Sequence, residues 1–61
     1  MNLLESFRIK KGLTRAQLGS RVGVSRQQIF NIEKGNADPS FKLAKKIARA
    51  FDKSISDIFG G

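Results

Sequence analysis

The chain has 61 residues, with 12 Lys and Arg against five acids and a net charge of +7 at pH 7. It contains no Cys and no His, which excludes disulfides, zinc–thiolate sites and the commonest general base and metal ligand. A chain this short buries about 60% of its unfolded surface, enough for one domain over residues 1–61 and too little for a deep cleft.

The five carboxylates are Glu5, Glu33, Asp38, Asp52 and Asp57. They form no close pair in sequence and match no metal-loop spacing. The expectation is therefore no enzyme, no metal, no cofactor and no small-molecule ligand. The basic excess points to a polyanionic partner, although it also serves solubility. "MNLLESFRIKK" is no signal peptide, because charge follows its short apolar run at once. No stretch approaches the ~20 apolar residues of a membrane span, so a cytoplasmic protein without membrane contact is expected.

In chain order the pattern predicts five helices. Helix one covers about Asn2 to Lys11, with Leu3, Leu4 and Phe7 on its inner face, and Gly12 ends it. Helix two begins in "LTRAQL", where Thr14 caps and Gln17 completes a capping box. Leu13 and Leu18 occupy the positions of a hydrophobic staple. Gly23 ends this helix. Helix three repeats the same start in "VSRQQI": Ser25 caps, Gln28 closes the box, and Val24 and Ile29 form the staple. Ile29 and Ile32 face inward and Gly35 stops the helix. "NADPS" is a turn, since Pro39 cannot continue a helix that precedes it. Ser40 caps helix four, "FKLAKKIARAF". Phe41, Ala44, Ile47, Ala48 and Phe51 share one side of it, opposite Lys42, Lys45, Lys46 and Arg49. Ser54 caps a short helix five, "ISDIF". Ile9 has no inward neighbour and is expected on the surface.

Only "GVS" separates helices two and three, the signature of a helix-turn-helix. Gly19, in the middle of helix two, costs about 1 kcal/mol against Ala. Either another helix approaches closely there, or the glycine is simply tolerated. In a helix-turn-helix the second helix enters the major groove with its N-terminal residues at base edges. Arg26, Gln27 and Gln28 directly follow the cap, and Asn31 is one turn on. Arg pairs with guanine in bidentate fashion, and Gln and Asn pair with adenine. The plainer reading is that Gln28 only closes its capping box and that Gln27 and Asn31 are solvated.

"LTRAQLGSRVGVSRQQIFNIEKGNADPSFKLAKKIARAFDKSISDIF" resembles the Xre, or Cro/repressor, family of helix-turn-helix DNA-binding domains. The likeness covers about Leu4 to Phe59. It rests on "R-x-x-K-G-L-T", "G-V-S-R-Q", "I-x-x-I-E-x-G" and "P-S" before a Leu/Ala/Ile helix. It implies an all-α, five-helix, repressor-like domain that binds double-stranded operator DNA, usually as a homodimer on a palindrome, with residues 26–34 as the recognition helix. It makes Arg26, Gln27, Gln28 and Asn31 the base contacts. Thr14, Arg15, Ser25, Lys34, Asn36, Ser40 and Lys42 become phosphate contacts, and Arg8 and Glu33 a partly buried salt bridge. Three positions depart from the family pattern. Arg15 stands where Gln is common, which removes an amide network between helices. Gly19 stands where Ala is usual, a compatible change. Asp38 puts an acid in a loop that is often basic. Phe30 is also unusual, an aromatic on the expected exposed side beside Asn31. It could meet a thymine methyl or a sugar, contact a partner, or fold back over apolar surface.

Phe51, Ile55, Ile58 and Phe59 are the candidates for a dimer interface, against the simpler expectation that they fill the monomer core. The expected function is a small transcriptional regulator that represses by competing with polymerase for its operator. Other readings are a protein-interaction module on the same scaffold, an antitoxin or controller subunit, and non-specific polyanion binding.

Overall fold

The computed structural model describes residues 2–60. Met1 and Gly61, the ends of the expected 1–61 domain, lie outside the described residues. Five helices follow one another: α1 (Leu4–Lys10), α2 (Arg15–Val22), α3 (Arg26–Glu33), α4 (Phe41–Ala50) and α5 (Ile55–Phe59). No strand occurs among the described residues.

Local chemistry sets most of the helix starts. Thr14 Oγ1 accepts from Gln17 N at 3.0 Å, and Gln17 Oε1 accepts from Thr14 N at 2.8 Å. Ser25 and Gln28 make the same reciprocal pair at 3.1 and 3.2 Å. A third box joins Ser54 and Asp57, and Ser40 Oγ accepts from Leu43 N. Each cap satisfies amides that a helix start leaves without a partner. The two hydrogen bonds from Ser54 hold the Asp57 carboxyl below the ordinary carboxylate range. That support for α5 is present at neutral pH and is lost as pH falls through the lowered value.

Helix one begins later than expected. Asn2 Oδ1 accepts from Leu4 N, and Asn2 Nδ2 donates to Ile32 O at the end of α3. Leu3 N donates to Ile58 O in α5. Residues 2 and 3 are thus committed to α3 and α5 before α1 starts, and Leu3 points outward instead of into the core. Ile9 is exposed, as its spacing suggested.

Every helix contributes one large residue that is essentially fully buried: Leu4, Leu18, Ile29, Ile47 and Ile58. Burying side chains of this kind contributes about 1.5–3 kcal/mol each. Phe7 and Phe51 pack with ring centroids 6.1 Å apart. Two expectations for helix four and the C-terminus change. Phe41 is 73% exposed, because it sits in the first turn of α4, where the apolar stripe runs past the end of the bundle. Phe51 and Ile58 are only 7% and 1% exposed. They belong to the core and offer no surface to a second chain. Ile55 and Phe59 remain half-buried.

The core also contains one ionic cluster. The Glu33 side chain has no exposure and meets two arginines. Arg8 Nε donates to Glu33 Oε2 at 2.6 Å, and Arg15 Nε donates to Glu33 Oε1 at 2.8 Å. Arg8 Nη1 also donates to Leu13 O at 2.8 Å. Arg15 Nη2 reaches Glu5 Oε2 at 3.0 Å, and Lys34 Nζ lies 3.5 Å from Glu5 Oε1. The cluster joins α1, α2 and α3. No buried side-chain nitrogen or oxygen is left without a partner among the described residues.

Gly19 is buried, and its neighbour is not another helix. A Cβ there would fall on the Val24 carbonyl oxygen and lie 3.2 Å from Ser25 C. The turn into α3 therefore folds back directly onto α2. Gly19 O accepts from both Gly23 N and Val24 N, at 2.8 and 2.9 Å. Gly23 supplies the required left-handed backbone at φ 83°. An Ala at position 19 requires the backbone of the turn to shift.

Replacing Glu33 with Ala leaves Arg8 buried without its main counter-charge, a loss of about 3–5 kcal/mol. A domain of this size has only about 3–9 kcal/mol in total. In chemical denaturation Glu33→Ala should cost more than the Ala variants of Glu5, Asp38, Asp52 or Asp57. Equal midpoints across the five would contradict this. Gly19→Ala gains about 1 kcal/mol of helix propensity but must displace backbone, and overpacking reaches about 3 kcal/mol. A fall in the thermal midpoint is expected, and a rise would show that the turn yields.

Candidate nucleic-acid interface

α3 divides its residues by helical period. Ile29, Ile32 and Glu33 are buried and fix its roll against the body of the domain. Arg26, Gln27 and Gln28 are exposed and Asn31 is half-exposed. Arg26 has no carboxylate partner among the described residues, so its five donors remain available. Gln27 Nε2 donates to Asn31 Oδ1 at 3.3 Å, which sets these two amides side by side one turn apart. Gln28 Oε1 is taken by Ser25 N in the capping box. The Nε2 end of that amide is then the one left fully free to face outward, and the cap restrains how Oε1 can turn toward a base.

The expected phosphate contacts fall into two groups. Thr14, Ser25 and Ser40 are exposed helix caps. Their oxygens accept from their own helices; the Ser25 hydroxyl also donates to Gln28 Oε1 at 3.5 Å, and the Thr14 and Ser40 protons are available to donate. Lys42 and Asn36 are exposed. Arg15 and Lys34 differ, because both are already engaged with carboxylates. The amide network that Arg15 removes is replaced by an ionic link from α2 to α1 and α3, a role that position 15 alone did not suggest.

Phe30 is half-buried, contrary to its expected exposed setting. The Arg15 guanidinium carbon lies 5.0 Å from its ring centroid and Lys34 Nζ 5.8 Å. Charge attraction to the ring face draws the two cations over it. Between the N-termini of α2 and α3 opens a shallow cleft of about 440 Å³, lined by Thr14, Arg15, Ala16, Arg26, Gln27 and Phe30. Of the candidate base contacts, Arg26 and Gln27 therefore border a cationic cleft and not an apolar binding pocket.

On the other side, Pro39, Phe41, Ala44, Ile55 and Phe59 line an open groove of about 520 Å³. Phe41 is the residue there that sequence spacing missed, since its period matched the buried face of α4. The described residues contain no group of His, Cys, Asp and Glu that could hold a metal. No helix among them is long and apolar enough to cross a membrane.

A helix-turn-helix family profile matches residues 4–58. An uncharacterized HTH-type transcriptional regulator of Methanocaldococcus jannaschii is 52% identical over 58 residues, which cover 95% of this chain and 88% of that protein. Another from Archaeoglobus fulgidus is 50% identical over 56 residues, covering 92% of this chain and 79% of its own. A third, YgzD of Bacillus subtilis, is 41% identical over 58 residues, with 95% and 88% covered. With α2 and α3 joined by a three-residue turn and the exposed face of α3 carrying Arg26, Gln27 and Asn31, the chain belongs to the Xre-type helix-turn-helix family of DNA-binding transcriptional regulators.

Proposed function

We propose that the protein is a repressor that binds a palindromic operator as a homodimer. The observation that carries the reading is the exposed row Arg26, Gln27 and Asn31 on a helix whose opposite face is locked by Ile29, Ile32 and Glu33. In this reading α3 lies in the major groove and these three side chains meet base edges. Gln28 sits close to the same edge with its Nε2 group facing outward. The hydroxyls of Thr14, Ser25 and Ser40, the Asn36 amide and the Lys42 ammonium take phosphates, and this fixes the register of the domain on the duplex. Arg15 and Lys34 add charge beside the same strand. Repression follows from occupying DNA that polymerase needs.

The dimer is supported by the apolar groove. Ile55 and Phe59, the two C-terminal candidates not consumed by the core, form it together with Phe41. A domain measuring 23 × 22 × 19 Å is of a size to hold two recognition helices about 34 Å apart, one DNA turn, in a side-by-side pair.

The test is selection of bound sequences from a random duplex pool at about 150 mM salt, which suppresses purely electrostatic binding. A palindrome with half-sites about one turn apart is expected. Failure to recover any motif would remove both the operator and the dimer from the reading. On the selected site, Gln27→Ala should lose about 1–3 kcal/mol of discrimination at one position per half-site. Lys42→Ala should weaken all sequences alike and reduce the salt slope by about one. Identical changes in preference for the two variants would show the roles to be misassigned. Phe41→Lys, at a residue outside the core, should give a monomer in sedimentation whose melting curve no longer depends on protein concentration. A persistent dimer would place the contact elsewhere.

A further inference from the structure

We infer that Phe30 is a specificity-determining residue that reads a thymine methyl in each half-site. The inference rests on the operator-binding reading above and adds a base contact to it. Phe30 follows Arg26 by four residues and Gln27 by three, so the three side chains share one face of α3. All three line the cleft between the starts of α2 and α3. The ring is not a loose surface group. Arg15 lies over it at 5.0 Å and is itself held by Glu33 at 2.8 Å and Glu5 at 3.0 Å. Lys34 lies over it at 5.8 Å and is tied to the same Glu5. The ring is thus positioned, through Arg15, by the buried carboxylate that also holds α3 in place. A side chain ordered in advance loses little freedom when it makes contact.

The chemistry narrows what the ring can read. Phe carries no donor or acceptor, so it cannot address the polar atoms of a base edge. The methyl at C5 of thymine is the apolar group that the major groove presents. Arg26 and Gln27 read by hydrogen bonds, and Phe30 adds a shape contact beside them.

The experiment starts from the selected operator and replaces its thymines one at a time with deoxyuridine, which deletes only the methyl. With the unaltered protein, one thymine per half-site should be sensitive, with binding weakened about fourfold, the worth of one buried methyl. In Phe30→Ala and Phe30→Gln the ratio between thymine and deoxyuridine at that position should fall to about one, while preference at the base read by Gln27 stays. 5-Bromouracil placed at the sensitive position should crosslink to Phe30 on irradiation of the unaltered protein, a readout that needs no variant to fold. A flat deoxyuridine scan, a crosslink to a different residue, or a ratio unchanged in both variants would overturn the inference. Lower stability of the variants with the ratio intact would make Phe30 only a support for Arg15. A pool that yields no operator at all would instead defeat the operator reading itself.

Discussion

The Glu33 carboxylate, with no exposed surface and two arginines against it, is the point on which the arrangement of the first three helices depends. An ion in the interior is costly unless its partners are close and its lone pairs are satisfied. Arg8 and Arg15 meet both conditions, and each comes from a different helix. An apolar cluster of the same size could hold the helices together equally well, and buried ion pairs are often no more stabilising than such replacements. What the directional pair adds is orientation. The hydrogen bonds of the cluster constrain how α1, α2 and α3 sit together, and α3 is the helix proposed to meet the bases.

The same helix has to be both anchored and available. Its period separates the two tasks: Ile29, Ile32 and Glu33 turn inward, and Arg26, Gln27 and Asn31 turn outward. Gln28 sits at the boundary, and its capping bond limits what it can do outward. Arg15 sits at another boundary. Its charge belongs in part to the interior cluster, so this cation is less free than Arg26 or Lys42 to respond to a phosphate. A count of basic residues alone therefore overstates the field that Arg15 contributes at the start of α2.

Much of the fold is legible in the sequence because its signals are local. Reciprocal caps at Thr14–Gln17 and Ser25–Gln28 need only four residues each to form, and they mark the helix-turn-helix without help from the rest of the chain. The features that spacing alone does not reveal depend on what lies nearby in space. Leu3 and Phe41 match an apolar stripe, but the stripe of each helix runs beyond the core that it faces. Ile58 and Phe51 read as surplus at the C-terminus, yet the core of so short a chain absorbs them. The partnership of Arg8 and Glu33 spans 25 residues, and only likeness to a family connects them in advance. Arg15 reaching the same carboxylate, and Phe30 lying beneath Arg15, depend on the packing of three helices together. On the candidate interface, residue types and positions on α3 could be read in advance, whereas the prior engagements of Arg15, Lys34 and Gln28 could not.

Gly19 has a consequence for how such a protein adapts to new sites. With the Val24 carbonyl against its backbone and Gly19 O accepting two amides from the turn, the turn is packed directly onto α2 and leaves little slack between α2 and α3. In the proposed reading, a change of side chains at the exposed positions of α3 alters which letters are recognised without repositioning the helix. In the proposed homodimer, differences in operator spacing would fall to the joint between copies or to bending of the DNA, so that the alphabet and the spacing could change separately.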